Sequence, residues 1–557
     1  MEDFSMAGND RFMDQRWYRI SIKIAFLLFC AIFLIQASAP QQPQQPIPPM
    51  SLFRASDTCM ACHNGLITPS GQDVSFGFDW RSSIMANSAR DPYWHAAVRR
   101  EVIDHPQAQA AIENECAKCH MPMASFEARA GGQQGSVFKH LPVAQRLTAT
   151  DRLAADGVSC TLCHQIDEKN FGQPSSFTGG YLVSTAAGDR PMFGPFIVDA
   201  GLTKIMHSAT GFIPTQASHL QKSEMCATCH TLITHAFGAK GEVIGELPEQ
   251  IPYEEWLQSG YPGAQTCQSC HMPVVQEPVA ISSVLGEPRT GISRHVFIGG
   301  NFFMLRMLNR YRAELGVEAL PAELKASAER TIFFLQNQTA KLSLQEIELV
   351  QNMLNATVVI ENLAGHKLPT AYPSRRVWLQ FTVRDRTGKQ VFESGAFLPE
   401  GMIRGNDNDL DASKYEPHYQ EIHREDQVQI YESMMVDSEG TITTGLLFGV
   451  RFVKDNRLLP AGFDKQKSKP DTAVHGDAAN DPDFTGGSDR VVYRVNTTGH
   501  ESPFQIDVKL WYQPIAFRWA QNLRPYEAVE TKRFVTYYES MASESAVVIR
   551  ELSARTR

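Results

Sequence analysis

The sequence predicts a chain built in two ways. Short helices and long irregular loops fill the first half, closed by a helical hairpin, and an antiparallel β-sandwich-like domain makes the second. Three observations carry this. Residues 51–300 hold five copies of the pentad C-x-x-C-H at irregular spacing; residues 301–344 show helical apolar periodicity; from about residue 345 the apolar residues alternate.

The pentads are Cys59–His63, Cys116–His120, Cys160–His164, Cys226–His230 and Cys267–His271, and their Cys59, Cys62, Cys116, Cys119, Cys160, Cys163, Cys226, Cys229, Cys267 and Cys270 are ten of the eleven cysteines. At this cysteine and histidine content chance supplies roughly 0.01 copies. The pentad is the attachment signature of c-type haem: two thiols add across the vinyl groups, and the adjacent imidazole becomes the proximal iron ligand. The competing readings fail. A disulfide framework does not need a histidine after every second cysteine. Structural zinc needs paired half-sites, and five do not pair evenly. A thioredoxin motif occurs once and without the histidine. The sequence therefore predicts five covalently attached haem c groups, each with its iron.

The N-terminus supports export, which bacterial haem attachment requires. Arg16, Arg19 and Lys23 precede the apolar run 24–35, and Ala37-Ser38-Ala39 offers a cleavage pattern. Pro40 disfavours cleavage there, and residues 20–39 are long enough to cross a bilayer. A cleaved signal peptide and a retained membrane anchor both stay open. Either places the bulk on the periplasmic side of a bacterial inner membrane. Cys30, inside the apolar run, has the bulky Phe29 before it, which a lipoprotein signal disfavours.

Residues 1–39 are then the signal or anchor segment, and 40–50 a stiff Pro/Gln linker. Residues 51–300 form the pentahaem domain, 301–344 the helical hairpin and 345–557 the β-rich domain. Within the haem domain, helices are expected after Asp91-Pro92, where Asp caps and Pro takes the first position, and just before each pentad. Met304, Leu308, Tyr311 and Leu315, then Leu324, Ala328, Ile332 and Leu335, mark the hairpin. Val377, Leu379, Phe381 and Val383 alternate with polar or aromatic neighbours, as do Phe504, Ile506, Val508, Leu510 and Tyr512. Residues 400–500, rich in Asp, Asn and Gly, read as long loops. A net charge of −9 over 557 residues excludes nucleic-acid binding by bulk electrostatics.

His63, His120, His164, His230 and His271 are the expected proximal ligands. The distal side decides function: histidine or methionine closes the iron, and an open side binds small molecules. The distal candidates are His219, His295, His366, His140, His207 and Met85. His295 and His366 lie in Gly-containing loops; His95, His105 and His235 complete the histidines of the haem region. Two weaker patterns remain. Asp407, Asp409 and Asp411 alternate like a calcium loop but lack its Gly and closing Glu, so a solvated acidic loop is expected. Lys367, Arg375 and Arg376 read as an anion or haem-propionate contact or as a plain basic turn.

Several stretches resemble the bacterial multihaem cytochromes of the c-552/c-554-like and hydroxylamine-oxidoreductase-related group. They are Cys116 to Met123, Asp156 to Cys160, Ser223 to Leu232, Cys267 to Pro273 and His295 to Gly300. Gly365 to Thr370, Lys454 to Pro460 and Leu510 to Gln513 resemble a β-domain fused to such cytochromes. The resemblance implies closely packed, mainly bis-histidine haems. The C-x-x-C-K pentad of pentahaem nitrite reductases and the tyrosine cross-link region of hydroxylamine oxidoreductase are missing. The expected function is therefore electron relay to other redox proteins, or from a membrane quinol oxidase, rather than catalysis, with no catalytic residue assigned and oligomerisation left open. The alternative is a reductase or oxidase of a small nitrogen or sulfur compound at one open-coordinate haem.

Overall fold

In each pentad the cysteines are three residues apart and the histidine follows at the fourth. On a helix that spacing puts all three side chains on one face. The computed structural model describes residues 51–186 and 188–556 and sets the pentads on helical backbone. The helices Asp57–Met60, Cys160–Cys163, Ser223–Ala227 and Cys267–His271 are single turns, and Gln109–His120 carries the second pentad at its end. Helices were expected just before the pentads; in most the helix instead runs into or through the pentad itself. The segment 1–39, with Cys30, and the linker 40–50 lie outside the described residues. Among the described residues no helix is long and apolar enough to cross a membrane.

Asp91 caps the helix Pro92–Asp104 as expected, accepting hydrogen bonds from the Tyr93 and Trp94 amides at 2.8 and 3.1 Å. The helix Ala200–Thr210 buries none of its residues. Its Leu202, Ile205, Met206 and Ala209, at one-face spacing, look into an internal cavity.

Two helices, Phe302–Arg310 and Pro321–Gln338, pack as the expected hairpin. The strand Ala340–Val350 follows at once, so strand structure begins a few residues before 345. Two antiparallel-built sheets then face each other. One orders Glu421–Ile422, Ser488–Asn496, Met353–Asn362 and Ala340–Val350, with the short first strand pairing in parallel. The other orders Gln390–Ser394, Arg376–Arg384, Gln505–Gln513 and Val547–Arg555. Alternate residues of both (Val358 and Ile360 against Leu379 and Val508) share one core, and the Phe381 and Tyr493 rings stack between the sheets at 3.9 Å.

Residues 52–557 make one compact unit. The C-terminal helix Val529–Met541 packs on Pro92–Asp104, where Arg99 pairs with Glu530 through two bonds of 3.0 Å. Residues 400–500 are mostly loop, as expected, with short strands among them and the long strand Ser488–Asn496 near their end; some of their polar side chains are buried. Arg376 forks onto Asp409 at 2.8 and 3.0 Å, both side chains buried, which removes Asp409 from any calcium site. Lys367 pairs with Asp455 at 2.7 Å, so two of the three basic residues in Gly365–Arg376 are structural ion pairs.

Candidate functional site

The fold encloses a cavity of about 1180 Å³ lined by residues of all five pentads and by the loop that carries His366. Native interiors keep few voids larger than a water molecule. Its lining is predominantly apolar, so water fills it poorly. The space fits large apolar groups.

The cysteines of different pentads meet along this cavity. Cys59 lies within electrostatic reach of Cys160, as do Cys119 of Cys229, Cys226 of Cys267 and Cys163 of Cys229. In space, the pentads therefore run first to third to fourth, with the second and the fifth branching from the fourth. All ten thiols are free. Burial pushes Cys163 up to about 12 and holds Cys116 well above the ordinary thiol value. Among the described residues, the single cluster of three or more possible metal ligands contains no cysteine, which removes structural zinc.

The histidines share a second regularity. His63, His120, His164 and His271 each hold a backbone carbonyl at Nδ1: Ile281 at 2.6 Å, Ser88 at 3.0 Å, Phe193 at 2.6 Å, and Ile298. His295 and His366 do the same with Ser293 at 3.1 Å and Lys367 at 2.9 Å. A carbonyl on Nδ1 fixes the tautomer and leaves Nε2 for a metal. Burial keeps His120 and His230 neutral, down to about 4, and His295 to about 3, the form that binds iron.

Two pairs of rings then face each other. His164 and His295 have ring centroids 6.2 Å apart with planes 12° apart; His271 and His366 stand at 6.3 Å and 12°. Two metal–imidazole bonds of about 2.0 Å plus two ring radii of about 1.1 Å span about 6.2 Å. Each pair stands at the separation that two imidazoles would have on opposite sides of one metal ion. Phe297 at φ +45° and Ala371 at φ +65° lie in the loops that present His295 and His366, a left-handed backbone that costs on the order of 1–3 kcal/mol. Gly300 is needed beside them, since a Cβ there would sit 2.5 Å from the Tyr512 hydroxyl.

The other candidates are placed differently. Met85 lines the cavity. His219 is buried with Nε2 bonded to Ile166 O at 2.8 Å, leaving only Nδ1 for a metal. His140 is tied to Asp151 at 2.7 Å, and the exposed His207 pairs with Asp189 at 3.0 Å; neither reaches the cavity. His95 uses both nitrogens, on Ala89 O and the Arg533 guanidinium.

The cluster that holds His418, Asp481 and Asp489 does not suit a metal either. His418 Nδ1 accepts from Gln429 and Asn456, whose amide oxygens are fixed by the Tyr419 and Glu432 amides. Nε2 must then carry the proton, which it points at Asp481 at 3.0 Å.

The fold has a solved counterpart. A penta-heme cytochrome c552 from Thermochromatium tepidum superposes over 91% of this chain and 99% of that one, with a TM-score of 0.53 at 16% sequence identity. No protein-family model and no curated protein matches the sequence. The chain has a multihaem-cytochrome-like fold.

Proposed function

We propose that the chain is a c-type multihaem cytochrome that relays electrons between redox partners. The observation that carries this is the gathering of all five pentads around one cavity, with cysteines of different pentads within electrostatic reach of each other. Haems bound there would lie edge to edge in one unbroken array, the arrangement electron transfer needs. The ten cysteines would hold five haems by thioether bonds, with His63, His120, His164, His230 and His271 as proximal ligands. His295 closes the third haem and His366 the fifth, and Met85 is the candidate for the first. Bound haem supplies one-electron redox chemistry. The chain itself fixes imidazole tautomers, excludes water and sets spacing. The export signal read in the sequence would put the chain on the periplasmic side of an inner membrane, where another cytochrome or a quinol oxidase would be its partner.

The test is haem stoichiometry by pyridine haemochrome and intact mass, followed by electron paramagnetic resonance of the oxidised protein. Five haems, mostly low-spin, support the relay; fewer than four per chain would sink it.

One observation favours a second reading, catalysis at an open haem. Among the described residues neither His120 nor His230 has an imidazole at pairing distance, and Arg375, which lines the cavity, acts on His230. A high-spin fraction that shifts with nitrite or hydroxylamine would select this reading.

A further inference from the structure

One buried carboxyl at the cavity has no structural task. Glu249 ends the strand Val243–Gln250, is 7% exposed and lines the cavity. Neither a hydrogen bond nor an ion pair reaches it among the described residues. The titratable groups within electrostatic reach of it are Glu101 from the helix Pro92–Asp104, Glu115, Cys116 and Cys119 from the helix Gln109–His120, and Tyr372 from the His366 loop. None is a cation. Lys118 is taken by Glu115 at 2.7 Å. Arg100, the cation nearest Glu101, is committed to Asp104, Tyr526 and Thr444. Glu101 itself accepts from the Leu446 and Leu447 amides at 2.8 and 3.3 Å.

A carboxyl with no donor, no cation and a low dielectric around it favours the proton. Burial first, then Glu101 and Glu115, raises Glu249 to about 8. An adjacent redox centre changes charge by one unit as it cycles, and that change acts strongly across a low dielectric.

We infer that Glu249 is a proton-coupling site: it takes up one proton from solvent when the haem held by Cys116 and Cys119 gains one electron from its redox partner. No covalent bond other than the carboxyl O–H forms. The relay would then move protons with electrons at its second pentad, while the pentads away from Glu249 transfer electrons alone. This rests on the relay reading.

Spectroelectrochemical titration of the full-length, haem-loaded protein between pH 6 and pH 9.5 tests it. One haem potential should fall around pH 8 by up to about 59 mV per pH unit, the tenfold-per-unit proton equilibrium written as a one-electron potential. Glu249→Gln should flatten that one slope and spare the other haems. Redox-difference infrared spectroscopy of the wild-type protein should show a protonated-carboxyl band gained on reduction, a readout that needs no variant. Five haems with pH-independent potentials, or a slope unchanged in Glu249→Gln, would overturn the proposal and leave the relay intact. Absence of haem would overturn the relay itself.

Discussion

His366, carried by the β-half, faces His271 of the fifth pentad with ring centroids 6.3 Å apart and planes 12° apart. A histidine from one half thus stands opposite a histidine from the other, and a metal between them would join the two. Replacing His366 by Ala should turn one low-spin iron high-spin, about one in five by electron paramagnetic resonance. His295→Ala should do the same at the third pentad. His366→Met should stay low-spin at a higher potential. Unchanged low-spin integrals in both alanine variants would remove the two pairs from the ligand set.

The loop that presents His366 is fixed by charge. Lys367, fully buried, donates its amide to Glu255 at 3.1 Å and pairs with Asp455 at 2.7 Å; Arg457 bridges Asp455 and Glu255 at 2.8 and 2.9 Å. Despite burial, Arg457 and Lys367 hold the Asp455 carboxyl below the ordinary range. Asp455→Asn leaves two buried cations under-compensated and should cost about 3–5 kcal/mol in chemical denaturation. It should also lower the low-spin fraction, because the loop loses its anchor. A loss in stability with a full low-spin signal would separate the network from ligand placement.

What was legible in the sequence was what local spacing encodes. The pentads, the Asp91-Pro92 helix start, the hairpin and the alternating strands all follow from residues near one another in the chain. His295 and His366 were nominated as ligands by their Gly-containing loops, but their partners His164 and His271 come from tertiary packing that no local pattern writes. Residues 400–500 read as loops and are mostly loops, but their Asp, Asn and Gly say nothing of a buried partner such as Arg376 for Asp409. Glu249 left a usable trace: it stands two residues from the buried Leu247 on a strand, hence on the inward face.

Stability should fall as pH rises from about 5 to about 8. Burial raises Glu101 from 4.5 to about 7 and Glu249 from 4.5 to about 8. Between those values the folded chain holds protons that the unfolded chain has released. Their contribution is complete below pH 4.5 and lost as pH rises through 7 and 8, at about 1.4 kcal/mol per pH unit for each group titrating. The melting temperature should drop from pH 5 to pH 8, and Glu249→Gln should drop less. Identical slopes for the two proteins would show that Glu249 is not the proton holder.

The chain without haem should not keep its first half folded. Its own apolar clusters there are smaller than the core of the β-half: one includes Trp94, Val98, Ile112 and Leu162, and a second Leu66, Val74 and Ile292. The cavity of about 1180 Å³ lies beside them. The sandwich has its own core of strand residues and hairpin helices and does not depend on that space. Protein made in the cytoplasm, where no haem is attached, should be cut by protease between residues 51 and 300 while strands from 340 onward survive longer. The same digestion of the periplasmic, haem-loaded protein should leave the first half intact. Equal protection of both preparations would mean that the cavity collapses at little cost, and that haem is not what fills the core of this half.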